Sequence, residues 1–152
     1  MKFVAKQDVE LPQQTLFDRM ADFQMFERVA IRRGVDVVRT GSLASKSGIK
    51  WDCKFEFRAR KRDARVQVTE FNSPDHLAFL VTNTALNIKL EIMLSALSKK
   101  QSRLLVTWVI EPKTLAARLL VQSMKLTRSK YNQRYQKRVA EVANELAALG
   151  PA

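Results

Sequence analysis

The stretch Ile49-Lys-Trp-Asp-Cys-Lys-Phe-Glu-Phe-Arg-Ala-Arg60 decides how this chain is read. Trp51, Cys53, Phe55, Phe57 and Ala59 alternate with Asp52, Lys54, Glu56, Arg58 and Arg60, the period of a strand with one buried and one wet face. A basic turn around Lys61, Arg62 and Asp63 is expected to return the chain through Val66 and Val68. Asn72-Ser-Pro-Asp75 supplies the next reversal, because Asn and Asp bond their own backbone and Pro fixes φ. Three more strands are predicted: Leu77 to Val81, Ala85 to Leu97 and Arg103 to Glu111. In the second, Leu86, Ile88, Leu90, Ile92 and Leu94 face one way; in the third, Leu104, Val106, Trp108 and Ile110 form the matching set. The connections at Thr82 to Thr84 and Ser98 to Ser102 are short, so neighbouring strands should pair antiparallel as a meander.

Outward from this block, Lys2 to Val9 reads as a strand with Phe3, Ala5 and Gln7 on one side. Pro12 suits the first turn of a short helix carrying Leu16, Phe17 and Met20. Asp22 can cap a second one with Phe23 and Phe26, ending before Gly34. Val35 to Arg39 is a strand, and Gly41 to Gly48 reads as a flexible loop. At the other end Pro112 closes the sheet and Thr114 can cap one long helix, from about Lys113 to Leu149. Leu120, Met124, Tyr131, Tyr135, Val142, Leu146 and Leu149 fall on one stripe of it, with Val139 at the edge. Leu115, Leu119 and Leu126 lie well away from that stripe, so something besides one sheet face should cover them.

The 152 residues suit a single domain spanning 1–152. At 46% hydrophobic, with 4 Gly and 4 Pro, the composition excludes disordered and collagen-like classes. No apolar run is long enough to span a membrane, and the N-terminus lacks the pattern of a signal peptide. Cys53 is the only cysteine, which excludes an internal disulfide and makes a cytoplasmic location the default. With His76 as the only histidine, a zinc site has too few ligands, and neither metal nor cofactor is expected. The net charge of +12 favours phosphates, on lipid or nucleic acid.

Strand, two short helices, six strands and a long C-terminal helix is the order of elements in the helix-grip domains of the START-like superfamily. That group includes Bet v 1 allergens, polyketide cyclases and coenzyme Q-binding proteins. The stretch quoted above, with Val66-Gln-Val-Thr-Glu-Phe71 after it, resembles the central hairpin of polyketide-cyclase-like members. The resemblance covers the whole chain and rests on element order more than on any motif, so no catalytic residue carries over. It implies an α+β fold in which a seven-stranded curved antiparallel sheet wraps around the terminal helix, with a cavity between them. It also implies a small hydrophobic ligand there, a lipid, quinone or polyketide.

Within that frame the candidate cavity walls are Trp51, Phe55, Phe57, Phe79 and Trp108, with Phe23 and Phe26 at a mouth and Leu120 and Met124 on the helix. Any one of these would serve equally as ordinary core. Arg128 and Tyr131, on or beside the inward stripe, are candidates to orient a polar head group. The plainer alternative has Arg128 paired with Glu70 or Glu91, or snorkelling to water. His76 follows a turn and is expected to face solvent. Binding without catalysis is the leading expectation; a cyclase or dehydratase using Tyr131 or Glu70 is the enzyme alternative. Arg58, Arg60, Lys61, Arg62 and Arg65 at the hairpin tip, with Lys130, Arg134 and Lys137 on the helix, are candidates to contact an anionic membrane. Nucleic acid ranks behind it, because no recognition motif accompanies the charge. Oligomeric state is left open.

Overall fold

The computed structural model describes residues 1–42, 46–57 and 59–149, the Phe57 side chain excepted. Strand β1 (Lys2–Val9) is followed by helices α1 (Gln13–Met20) and α2 (Phe23–Arg32). Six strands follow: β2 (Asp36–Thr40), β3 (Lys50–Phe57), β4 (Arg60–Asn72), β5 (His76–Thr82), β6 (Leu86–Ala96) and β7 (Ser102–Pro112). Helices α3 (Leu115–Leu126) and α4 (Arg128–Ala148) end the chain. The strands form one curved seven-stranded antiparallel sheet in the order β1-β7-β6-β5-β4-β3-β2. This is the predicted meander, with β1 added beside β7. The helix-grip architecture is therefore present.

Register puts the apolar alternation on the concave face. Phe3 pairs with Trp108, Trp108 with Leu90, Leu90 with Phe79 and Phe79 with Val68, so one row of large side chains crosses five strands. The next row runs Ile110, Ile88, Val81, Val66 and Trp51. Toward the end of the sheet near α1 the same face is fully buried at Leu77, Leu94 and Leu104. There Leu16 and Phe17 of α1 and Ala143 and Leu146 of α4 join one core cluster. The Gln13 amide nitrogen lies 3.0 to 3.3 Å from the Pro74 carbonyl, Asp75 Oδ1 and the Leu94 carbonyl, which fixes α1 to this end. Buried Ser102 donates to the Leu11 carbonyl at 2.6 Å and fixes the chain between β1 and α1.

Both cap expectations hold: Asp22 accepts from the Met25 amide and Thr114 from the Ala117 amide. Gly34 stands just past α2 at φ +85, a left-handed conformation that side chains resist. Pro12 sits one position earlier than predicted, as the residue before the first helical turn. Of the loop from Gly41 to Gly48, residues 43–45 lie outside the described residues.

Two boundaries are corrected. The β3–β4 reversal falls between Phe57 and Arg60, so Lys61, Arg62 and Asp63 belong to β4 and make no turn. Cross-strand charge explains the register: Lys61 faces Glu56, Asp63 faces Lys54 and Arg65 faces Asp52, three complementary pairs on the convex face. The C-terminal helix is broken at Thr127, whose φ of −120° and ψ of 34° leave the helical region. After the break α4 runs beside β1, the sheet edge. There Arg128 donates to the Lys2 carbonyl and Gln136 to the Val4 carbonyl, both at 2.7 Å. Those carbonyls point away from β7 and would otherwise template another strand.

A candidate binding cavity between α2, α4 and the sheet

Between the filled end of the sheet and its opposite edge lies a cavity of about 480 Å³. Two helices close it with the same spacing. Phe23, Phe26, Glu27 and Ala30 of α2 stand at i, i+3, i+4 and i+7, and so do Tyr135, Arg138, Val139 and Val142 of α4. Concave residues of the strands, among them Val37, Trp51, Cys53, Val66, Phe79, Val81, Leu90 and Trp108, form the remaining wall together with Met20 of α1. Each of α2 and α4 thus contributes an apolar face holding one charged residue.

The polar groups on this wall are few and mostly committed. Glu27 Oε1 accepts from Arg39 Nη1 at 2.7 Å and from the Trp51 indole nitrogen at 2.9 Å, so one carboxylate oxygen fixes both a strand and a ring. Tyr135 donates its hydroxyl to the Val106 carbonyl at 2.5 Å. Burial pushes its phenol up to about 12, since the phenolate would be poorly solvated there. Cys53 is raised too, by burial first and then by the neighbouring charge of Asp52, so its thiol stays protonated at neutral pH. Arg138 is exposed at the rim, 3.4 Å from Glu141.

Aromatic packing braces the space on both sides. Phe23 meets Trp51, Phe79 and Phe71 edge-on, at centroid separations of 5.2, 6.0 and 6.2 Å. Across the cavity Tyr135 meets Phe3 at 5.8 Å and Trp108 at 6.3 Å.

Of the predicted wall residues, Phe23, Phe26, Trp51, Phe79 and Trp108 do line the cavity. Phe55 does not: it shares the concave face but pairs with Arg62 beyond the last lining row, and the Phe57 side chain lies outside the described residues. Leu120, Met124, Arg128 and Tyr131 are also off the wall, because they precede or immediately follow the break and α4 reaches the cavity only from Tyr135 onward. Arg128 pairs with neither Glu70 nor Glu91, which stand on the convex face; its guanidinium lies 5.4 Å from the Phe3 ring centroid. His76 is half-buried on that convex face, 3.7 Å from Glu91, instead of facing solvent.

The basic candidates separate as well. Arg65 is bound to Asp52 at 2.9 Å, Arg62 stands opposite Phe55 and Arg60 opposite position 57 in the register, and Arg58 lies outside the described residues. Lys130, Arg134 and Lys137 are exposed on α4. Glu27 and Arg138 were not singled out from sequence. The available signal was a charged residue inside each i, i+3, i+4, i+7 apolar set.

No protein-family model matches the sequence, and no curated protein matches it. Solved structures share its fold over nearly the full length. An aromatase/cyclase, Zhui, from Streptomyces sp. R1128 is 11% identical, with 100% of this chain and 99% of that one covered and a TM-score of 0.65. Norcoclaurine synthase from Thalictrum flavum, solved in complex with dopamine and hydroxybenzaldehyde, is 8% identical, with coverage of 100% and 88% and a TM-score of 0.69. Ara h 8.0201 is 13% identical, with coverage of 93% and 98% and a TM-score of 0.59. At such identities the likeness is one of fold.

Proposed function

We propose that this chain, whose fold is the helix-grip fold of the Bet v 1-type superfamily, binds a small amphiphile in the cavity between α2, α4 and the sheet. One observation carries the reading: an apolar-walled space of about 480 Å³. That lies within the ~300–1,000 Å³ usual for small-molecule sites. The ligand's apolar body would lie against Trp51, Phe79, Leu90 and Trp108, with its polar end toward Glu27 and Arg138. The folds it resembles include a cyclase and a synthase, but binding fits these residues better than proton transfer. Tyr131 and Glu70, the acid–base candidates, stand off the cavity, and Tyr135 is held protonated with its hydroxyl already donated. Lipid, quinone and polyketide-like bodies all suit such a wall.

Native mass spectrometry of freshly purified protein, followed by extraction, identifies any captured amphiphile. In parallel, anilinonaphthalene sulfonate should bind the emptied protein and shift the emission of Trp51 and Trp108. Ala30→Trp, which fills the cavity from α2, should abolish that binding while circular dichroism stays unchanged. Undiminished binding to a folded Ala30→Trp protein would place the probe elsewhere and end the proposal.

A further inference from the structure

The outer face of α3 is apolar where water should be. Leu115, Leu119 and Leu126 are 73%, 64% and 88% exposed. At about 100° per residue they fall within roughly 40° of one another, opposite the buried Ala117 and Val121. Exposed Gln122 lies in the same arc, and Leu120, at 50% exposure, stands roughly 120° from its centre, toward the buried side. Arg118 and Lys125 project together on one flank. Isolated exposed leucines are ordinary, but a stripe of them along one helix marks a contact surface.

The charge around this stripe names its occupant. From Pro112 to Ala140 the sequence holds eight basic residues and no acidic one. A second copy of the chain docked through the same leucines would set these charges against themselves, and nucleic acid would set phosphates against leucine. An anionic bilayer matches both features. Leucines enter the acyl boundary while Lys and Arg stems reach up to the headgroups.

Topology places the helix accordingly. α3 leaves the end of β7 where the concave face is only partly buried, at Ile88, Val81 and Ile110. α2 ends at that same end of the sheet with Ile31, 59% exposed, followed by Arg32 and Arg33. We infer that α3 is an interfacial helix which docks this end of the molecule on anionic lipid through Leu115, Leu119 and Leu126. The anchor is thus α3; of the basic candidates on β4, Arg65 already has Asp52 as its carboxylate partner. The inference is independent of what fills the cavity.

Co-sedimentation with vesicles of phosphatidylcholine alone, and of phosphatidylcholine mixed with phosphatidylglycerol, tests it. The protein should partition onto the mixed vesicles, and less so as salt rises. Leu115→Gln/Leu119→Gln/Leu126→Gln should lower that partition on the order of a hundredfold. Arg118→Gln/Lys125→Gln should weaken it and flatten the salt dependence. Because the leucines are exposed, both variants should keep the wild-type circular dichroism and anilinonaphthalene sulfonate binding. Equal partition of the leucine variant overturns the inference. So does a dimer in wild-type solution that the leucine variant dissociates, or binding that ignores anionic lipid.

Discussion

Replacing Tyr135 by Phe separates what its hydroxyl does for the fold from what the cavity does for a ligand. The hydroxyl donates to the Val106 carbonyl at 2.5 Å from a half-buried ring. Losing such a bond costs about 0.5–1.5 kcal/mol net. Ionisation adds a second, pH-dependent part. Burial holds the folded-state phenol at about 12 against an ordinary value of 10. Between those values the folded protein keeps a proton that the unfolded chain has released, so stability falls as pH rises through that window and is fully present below it. An unscreened shift of this kind amounts to about 1.4 kcal/mol per pH unit; solvent access to the ring reduces the total to roughly 1 kcal/mol.

Urea unfolding of wild type and Tyr135→Phe, followed by circular dichroism, reads both parts. Lysines titrate in both proteins, so the difference between them is the informative quantity. Wild type should lead by about 1 kcal/mol or somewhat more at pH 7, and the lead should vanish as pH passes from about 10 to 12. Anilinonaphthalene sulfonate affinity should change less than about threefold, under ~0.7 kcal/mol, because the hydroxyl is already committed to the backbone. A lead that stays constant across the alkaline range would refute the burial argument. A collapse of affinity would give Tyr135 the head-group role expected of Tyr131.

Glu27→Ala should destabilise the protein by about 1–3 kcal/mol, because it leaves the Arg39 guanidinium and the Trp51 indole N–H without their carboxylate; Trp51 emission should shift to the red, and an unshifted spectrum would contradict the contact. Ser102→Ala should cost a similar ~1–3 kcal/mol in chemical unfolding, since the fully buried hydroxyl is a partner of the Leu11 carbonyl; a loss of only a few tenths would show that the carbonyl finds another donor.

The sheet was legible because burial of one face enforces a period of two, and that period ran clean through Trp51, Cys53 and Phe55 and again from Leu86 to Leu94. Caps were legible for a local reason, since Asp22 and Thr114 act on amides three residues ahead. The break at Thr127 left no such mark. Leu126-Thr-Arg128 contains neither Gly nor Pro, and the turn there is compensated across the sequence, where Arg128 and Gln136 reach the open carbonyls of Lys2 and Val4. Farther along α4 the stripe held, with Tyr135, Val139, Val142 and Leu146 turned inward; the error fell next to the break, where Arg128 and Tyr131 were expected in the cavity, and on Arg138, which was not. The β3–β4 turn failed similarly: the sequence shows charges crowded together, whereas register sets Lys61, Asp63 and Arg65 each opposite a complementary charge across the strand.

The cavity follows from how the concave face divides its work. At the α1 end, Leu16, Phe17, Leu77, Leu94, Leu104 and Leu146 fill the space completely, and that packed portion supplies a core whether or not anything lies beyond it. Farther along, α2 and α4 bring rings to opposite sides, and each ring rests against its own neighbours: Phe23 edge-on to Trp51 and Phe79, Tyr135 edge-on to Trp108 and tilted against Phe3. Side chains supported laterally gain little by tipping inward, since each would exchange a ring contact for another and lose the bonds of Trp51 to Glu27 and Tyr135 to Val106. Collapse is therefore opposed by contacts that exist without a ligand. A preformed space of this kind reduces the ordering cost of binding, so affinity should depend more on the fit of the apolar body than on closure of the chain around it.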